Sequence, residues 1–296
     1  MDRQELIDPV SVARLSRLSL HARGLVEGSF TGKHKSPHKG ASVEFAQYRK
    51  YAPGDDIGRL DWRVYARTDR FYIKEFEADT NLRCYLVLDC SGSMRFAGQG
   101  RPSKFACAAR LAAHLAHVLI GQGDAVGLQC FADDIATDIP PRNNPKHFGT
   151  ILDRLADTDP DGETRIVDVL HNVAERIRRR ALVIVFSDFF TEVGPLLECF
   201  GHFRHRKHDL AVFHILDEEE RGFQFERPIR FRDLESSHAL ITEPAVVRDD
   251  YLAAFDAYLE DVRAGCLEHG VDYREATTSS SCEDVLAGFM LNRMSK

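Results

Sequence analysis

A doubly wound α/β domain built on a mostly parallel sheet is the fold class this sequence predicts, and three observations predict it. Residues 82–88, 181–186 and 210–216 are short, nearly unbroken apolar runs, the pattern of strands buried on both faces. They alternate with stretches whose apolar residues recur at helical spacing. The first two runs also end on acids, Asp89 and the pair Ser187-Asp188, at the carboxyl ends of strands, where open parallel sheets collect their ligands.

Taken in order, residues 9–27 carry Val12, Leu15 and Leu18 and then Ala22, Leu25 and Val26, the spacing of an amphipathic packing helix. Residues 32–40 form a basic loop, 42–51 alternate Val43, Phe45 and Gln47 as a strand does, Pro53-Gly54-Asp55-Asp56 is a turn, and 71–76 alternate again. Residues 28–80 therefore read as a small strand-containing extension between the amino-terminal helix (1–27) and the main domain (81–290). Phe105, Ala108, Ala112, Leu115 and Leu119 mark one face of a helix that stops at Gly121 to Gly123. Residues 125–131 are a second core strand, and 135–139, across the Asp133-Asp134 turn, are its antiparallel partner at a sheet edge. Helices follow at Phe148, Ile151, Leu152, Leu155 and at Ile166, Val169, Leu170, Val173, Ile177. Residues 217–246, mixed, charged and interrupted by Pro228 and Pro244, read as a peripheral, strand-rich segment. A long helix through Tyr251, Phe255, Tyr258, Leu259, Val262 and Cys266, a strand at 271–276 and a helix through Val285, Leu286 and Phe289 close the domain.

Composition narrows the function classes. A net charge of −7 over 296 residues argues against a general nucleic-acid binder, which needs a positive face to displace counterions from phosphates. The seven cysteines form no Cys-x-x-Cys pair and several lie in apolar runs, so they read as reduced core residues of a cytoplasmic protein. Asp2, Glu5 and Asp8 stand where a signal peptide needs a basic start and an apolar core, and no apolar run reaches membrane-spanning length.

The chemistry concentrates at Asp89-Cys90-Ser91-Gly92-Ser93. A hard divalent cation such as Mg²⁺ takes oxygen ligands in octahedral geometry, and two serines one residue apart in a tight loop offer two adjacent oxygens. Thr164, in a Gly-Glu-Thr turn before a helix, and Asp188, after a buried strand, open into the same crevice of a doubly wound sheet. The set Asp89, Ser91, Ser93, Thr164 and Asp188 resembles the metal-ion-dependent adhesion site of the von Willebrand factor A fold. Residues 45–56, Phe-Ala-Gln-Tyr-Arg-Lys-Tyr-Ala-Pro-Gly-Asp-Asp, and residues 60–67, Leu-Asp-Trp-Arg-Val-Tyr-Ala-Arg, followed by the Asp89 loop, extend the likeness. Over roughly 30–290 the chain resembles the bacterial domain of unknown function 58 family, whose members carry a von Willebrand A-like domain. The acidic turn and Asp61-Trp62-Arg63 are its most specific part.

The resemblance implies that Ser91, Ser93 and Thr164 bind the cation directly, with Asp89 and Asp188 holding waters or orienting hydroxyls. The ion would be Mg²⁺, with Mn²⁺ or Ca²⁺ as alternatives. Neutral hydroxyls leave most of its charge unquenched, so an Asp or Glu of a client protein can complete the shell. The resemblance further implies a MoxR-type AAA+ ATPase partner, encoded beside such proteins, in the assembly, activation or remodelling of clients. It implies a partner role and no catalytic residues.

Other readings compete. Ser91 and Ser93 are also common turn and cap residues, set ahead of the helix that begins near Ser103. A phosphotransferase or phosphohydrolase of haloacid-dehalogenase type would use Asp89 as nucleophile, but it wants a second acid where Ser91 stands and a lysine in the crevice, and none is evident. Cys90 with Arg95 five positions on does not match a cysteine phosphatase. Lys33, His34, Lys35, His38 and Lys39 read as a solvated loop, and His202, His205 and His208, among Arg204, Arg206 and Lys207, as a surface cluster in a helix-to-strand connection. Asp55, Asp56, Asp61, Trp62 and Arg67 read as an Asp-Arg network docking the extension, with a partner-contact surface as the alternative.

Overall fold

The computed structural model describes residues 1–18, 20, 43–50, 64–65, 67, 70–78, 82–225, 227, 229–235 and 239–294. The chain divides into two compact units, Gly24–Leu82 and the remainder, Met1–Arg23 with Arg83–Lys296. In the smaller unit, β1 (Val43–Lys50) pairs antiparallel with β2 (Tyr72–Ala78), with a register shift between Phe45 and Gln47. The Tyr65 and Phe71 rings stack at 4.4 Å. The basic loop at 32–40, the turn Pro53-Gly54-Asp55-Asp56, and Asp61 and Trp62 lie outside the described residues.

The larger unit is built on β3 (Arg83–Asp89), β4 (Ala125–Phe131), β5 (Ile135–Arg142), β6 (Leu182–Ser187) and β7 (Asp209–Leu216). A separate hairpin of β8 (Ile229–Arg232) and β9 (Ala239–Thr242) follows, and then β10 (Asp272–Thr277). The six-stranded sheet runs β10-β7-β6-β3-β4-β5, every neighbour parallel except β5 against β4. It is the doubly wound, mostly parallel, von Willebrand A-like arrangement expected. β6 and β7 are buried along their whole lengths, as strands with helices on both faces must be. β5 alternates half-buried and exposed residues and carries Pro140 and Pro141, which lack the N–H that a central strand needs.

Helices cover both faces. The short α1 (Arg3–Leu6) and α2 (Pro9–Leu15) pack on α3 (Lys104–Gly121), which also meets α4 (Pro145–Asp157). On the other face α5 (Ile166–Arg176) and α6 (Val193–His205) pack over Val87, Val183, Val185 and Val212. The one-turn α7 (Glu218–Gly222) caps the crevice, α8 (Pro244–Glu268) joins the layer of α6, and α9 (Cys282–Met294) joins that of α3. Alternation along each strand explains the division, because neighbouring residues feed opposite layers.

Four expectations change. The amino-terminal helix expected to run to residue 27 ends at Leu15, where the Ser16 hydroxyl donates to the Val12 carbonyl at 2.8 Å and the chain tightens into turns; the positions beyond residue 20 in that stretch are outside the described residues. The supposed connection around His202 is helix α6, burying Leu196, Cys199, Phe200 and Phe203. Its start, Val193-Gly194-Pro195, imitates a turn, yet proline is tolerated in a first turn that has no N–H to pair. His208 is buried rather than part of a surface cluster. The segment 217–246 is not peripheral, because its hairpin connection lies against the Asp89 loop, as described next.

Candidate functional site

β3 delivers Asp89 to the carboxyl edge of the sheet, and both of its oxygens are used at once: Oδ1 accepts from the Ser91 N–H at 2.9 Å, and Oδ2 from the Ser187 hydroxyl at 2.7 Å. The first bond is an Asx-type turn that folds the loop back over the strand end. It sets the Ser91 and Ser93 hydroxyls 3.1 Å apart. Neither serine is a cap, since Ser91 makes no side-chain bond to the short 3-10 turn Gly92–Arg95, and α3 is capped by Ser103 Oγ accepting from Ala106 N–H at 3.1 Å. Cys90 is buried, its thiol facing the Leu88 carbonyl, and the neighbouring Cys130 thiol, followed by burial, pushes its pKa up, so it is an inert thiol.

β6 delivers Asp188 one position past its end. The chain turns there through Phe189, whose φ of 49° is a left-handed conformation unusual for a bulky residue. Three bonds hold the turn. Phe189 N–H donates to Ser187 Oγ at 2.8 Å, Tyr258 donates to the Phe189 carbonyl, and His214 Nε2 sits 2.8 Å from the Asp188 carbonyl. Burial drives the His214 pKa down to about 4, so the ring is neutral, donating to that carbonyl and accepting from Tyr273. Ser93 and Asp188 line the same cavity at these two strand ends.

The structure adds a cation that the sequence reading missed. Lys104, at the first position of α3, is buried and places its ammonium 2.7 Å from Asp188 and 2.6 Å from Glu220. A lysine at the positive end of an 18-residue helix opposes the helix dipole, and that misplaced charge was the available signal. Burial acts to raise the Asp188 pKa, but Lys104 and Ser93 prevail and hold it below the usual carboxylate range. Asp89 is pushed up, first by burial and then by the charge of Asp188.

Thr164 reaches the same place through its loop. Gly92 N–H donates to the Gly162 carbonyl at 2.9 Å, Asp161 N–H to the Cys90 carbonyl at 2.8 Å, and Arg165 N–H to the Ala132 carbonyl at 3.1 Å. The Thr164 hydroxyl oxygen is buried and has no hydrogen-bond partner among the described residues. Its N–H donates to Glu235 Oε2 at 3.0 Å, and Glu235 Oε1 is likewise buried without a partner. The loop bearing Glu235 sits so close that a Cβ on Gly92 would fall 2.3 Å from the Leu234 carbonyl oxygen, so glycine alone fits there. A cavity of about 590 Å³ opens beside these groups, its lining including Ser93, Asp188 and Glu235 with the aromatic rings of Phe223, Phe231 and Tyr251.

The structure thus bonds Asp89, Ser91 and Ser93 into one network, sets Asp188 beside Ser93 in the same cavity lining, and laces the Thr164 loop onto the Asp89 loop. The donor set fits a hard cation. Three uncharged oxygens are supported by carboxylates already engaged in orienting them, and a buried hydroxyl that costs about 1–3 kcal/mol when unpaired has its lone pairs free. Among the described residues no group of three or more His, Cys, Asp or Glu is arranged to hold a metal, which sets aside His202, His205 and His208. His202 instead pairs with His171, Nδ1 to Nδ1 at 3.0 Å.

Comparison with known proteins yields a family-model match, described as "Protein of unknown function DUF58", over residues 47–259. The uncharacterized protein Rv1480 of Mycobacterium tuberculosis is 28% identical over 271 residues, 88% of this chain and 83% of that protein. Among solved structures, an aerotolerance-related membrane protein from Bacteroides fragilis aligns with a TM-score of 0.49 and 15% identity, covering 73% of this chain and all of that one. The VWA domain of SpRpn10 aligns at 0.42 and 12%, covering 71% and 95%. Among the described residues of this chain, no helix is long and apolar enough to cross a membrane.

Proposed function

Given that the chain belongs to the DUF58 family, we propose that it is a metal-dependent protein-recognition module that acts with a MoxR-type AAA+ ATPase on client proteins. In this reading Ser91, Ser93 and Thr164 hold Mg²⁺ directly, and Asp89 and Asp188 orient them. When bound, the ion supplies an electrophilic position that a client's Asp or Glu fills. The protein's own part is to aim neutral oxygens at one point while keeping its acids occupied. One observation carries the reading: Asp89 spends both oxygens on Ser91 N–H and Ser187 and Asp188 pairs with Lys104, while the Ser91 and Ser93 hydroxyls lie 3.1 Å apart and the Thr164 hydroxyl is buried without a partner among the described residues.

The same observation weighs against a phosphotransferase. Lys104 does supply a lysine in the crevice, but its ammonium is committed to Asp188 and Glu220, and Asp89, 1% exposed, would have to break two hydrogen bonds to attack. The partner assignment is what the family resemblance implies, and a cytoplasmic setting is supported by seven free cysteines, six of them buried.

Adding Mg²⁺ or Mn²⁺ should raise the melting temperature of the wild-type chain and leave that of Ser93→Ala unchanged. An equal response of both would remove the metal reading. Release of phosphate from a generic aryl phosphate, abolished in Asp89→Asn, would establish the phosphohydrolase instead.

A further inference from the structure

We propose that Glu235 is this chain's own carboxylate for the site, completing it in the resting protein, so that an outside Asp or Glu enters only when the segment carrying Leu234 and Glu235 moves away. This rests on the reading of Ser91, Ser93 and Thr164 as cation ligands and names what occupies the position that reading leaves open.

The placement of Glu235 argues for it. Its Oε2 accepts the Thr164 N–H at 3.0 Å, and the residue lines the same cavity as Ser93 and Asp188. Two oxygens on these hydrogen-bonded neighbours, Thr164 Oγ1 and Glu235 Oε1, are both buried and both without a partner among the described residues. A hydroxyl and a carboxylate so joined would ordinarily bond to each other; here they do not, and one cation between them would satisfy both oxygens.

Charge argues the same way. Asp188 and Glu220 already share the Lys104 ammonium, Asp89 feels the charge of Asp188, and a further carboxylate in the same cavity lining without a hydrogen bond on Oε1 calls for another positive centre. The seat is built rather than accidental, because the Leu234 carbonyl occupies the space that a side chain at 92 would fill. The tether is also light. β8 and β9 pair over four residues each, and Leu240 and Ile241 remain exposed, so little buried apolar surface opposes displacement. Phe231, stacked 5.5 Å from Phe223, anchors the hairpin.

The test uses Mn²⁺ with the full chain and two readouts, affinity from the free-ion signal in electron paramagnetic resonance and water-proton relaxation per bound ion. Glu235→Gln, which keeps the bond to Thr164 N–H but loses the charge, should bind Mn²⁺ about tenfold or more weakly. Relaxation per bound ion should rise, because water takes the position the carboxylate held. Mn²⁺ binding that is lost in Ser93→Ala but identical in both readouts for Glu235→Gln and wild type overturns the role of Glu235 and leaves the proposed site standing. No Mn²⁺ binding by the wild-type chain overturns the site and this inference together. Should the glutamine variant fail to fold, Glu235→Ala is judged by the same two readouts.

Discussion

Two groups of buried charge sit at opposite ends of the six-stranded sheet and are composed differently. At the amino end Arg293, near the close of α9, pairs with Asp209 and Asp272, the first residues of β7 and β10, and its side chain is 0% exposed. A guanidinium offers its fixed fork of donors to two carboxylates at once and ties a helix to two strands. At the carboxyl end one ammonium, that of Lys104, faces Asp188 and Glu220, with Asp89 and Glu235 close behind and hydroxyls left over. Buried charge of the first kind secures the fold, whereas a surplus of oxygen acceptors with unpaired members suits a ligand that brings its own charge.

That contrast is broken if both ends respond alike to mutation and to Mg²⁺. The largest effect belongs to Arg293→Ala, which takes the guanidinium away from two acids beneath a helix and should cost about 3–5 kcal/mol in urea unfolding, with no recovery on adding Mg²⁺. Recovery there would mean that the amino end also takes a cation. Lys104→Met should cost less, about 2–3 kcal/mol in chelator, because Glu220 is 25% exposed and water can reach it. Part of that loss should return with Mg²⁺, and a loss that ignores Mg²⁺ would make Lys104 a second Arg293. Thr164→Val should be as stable as wild type in chelator or up to about 1–3 kcal/mol more stable, since the hydroxyl it removes has no partner among the described residues, while abolishing the Mg²⁺-induced rise in melting temperature. A large loss in chelator would assign that hydroxyl a structural bond instead.

Much of this architecture was legible from local pattern. Unbroken apolar runs marked β6 and β7, the Asp133-Asp134 turn marked the antiparallel edge, and Asp89 and Asp188 stood out as acids at strand ends, where β3 and β6 are hydrogen-bonded neighbours. The serine pair was readable because its geometry is set within three residues. Helix α6 was missed because its first turn is written in glycine and proline, which read as a break unless the buried Leu196, Cys199, Phe200 and Phe203 outweigh them.

Lys104 and Glu235 had no comparable signature. Lys104 is one basic residue opening a helix, and Glu235 one acid in a charged stretch, and neither position announces which element will face it. They became part of the site through bonds that span 84 and 71 residues of chain, Lys104 to Asp188 and Thr164 to Glu235. Periodicity and hydrophobicity are properties of neighbouring residues, so the chain alone specified the sheet, its acidic strand ends and the turn that pairs two hydroxyls. Which charges those groups would meet depended on the packing of α3, α7 and the β8–β9 hairpin over the sheet edge. Electrostatic partners are set by distance in space, and that distance exists only once the layers have closed.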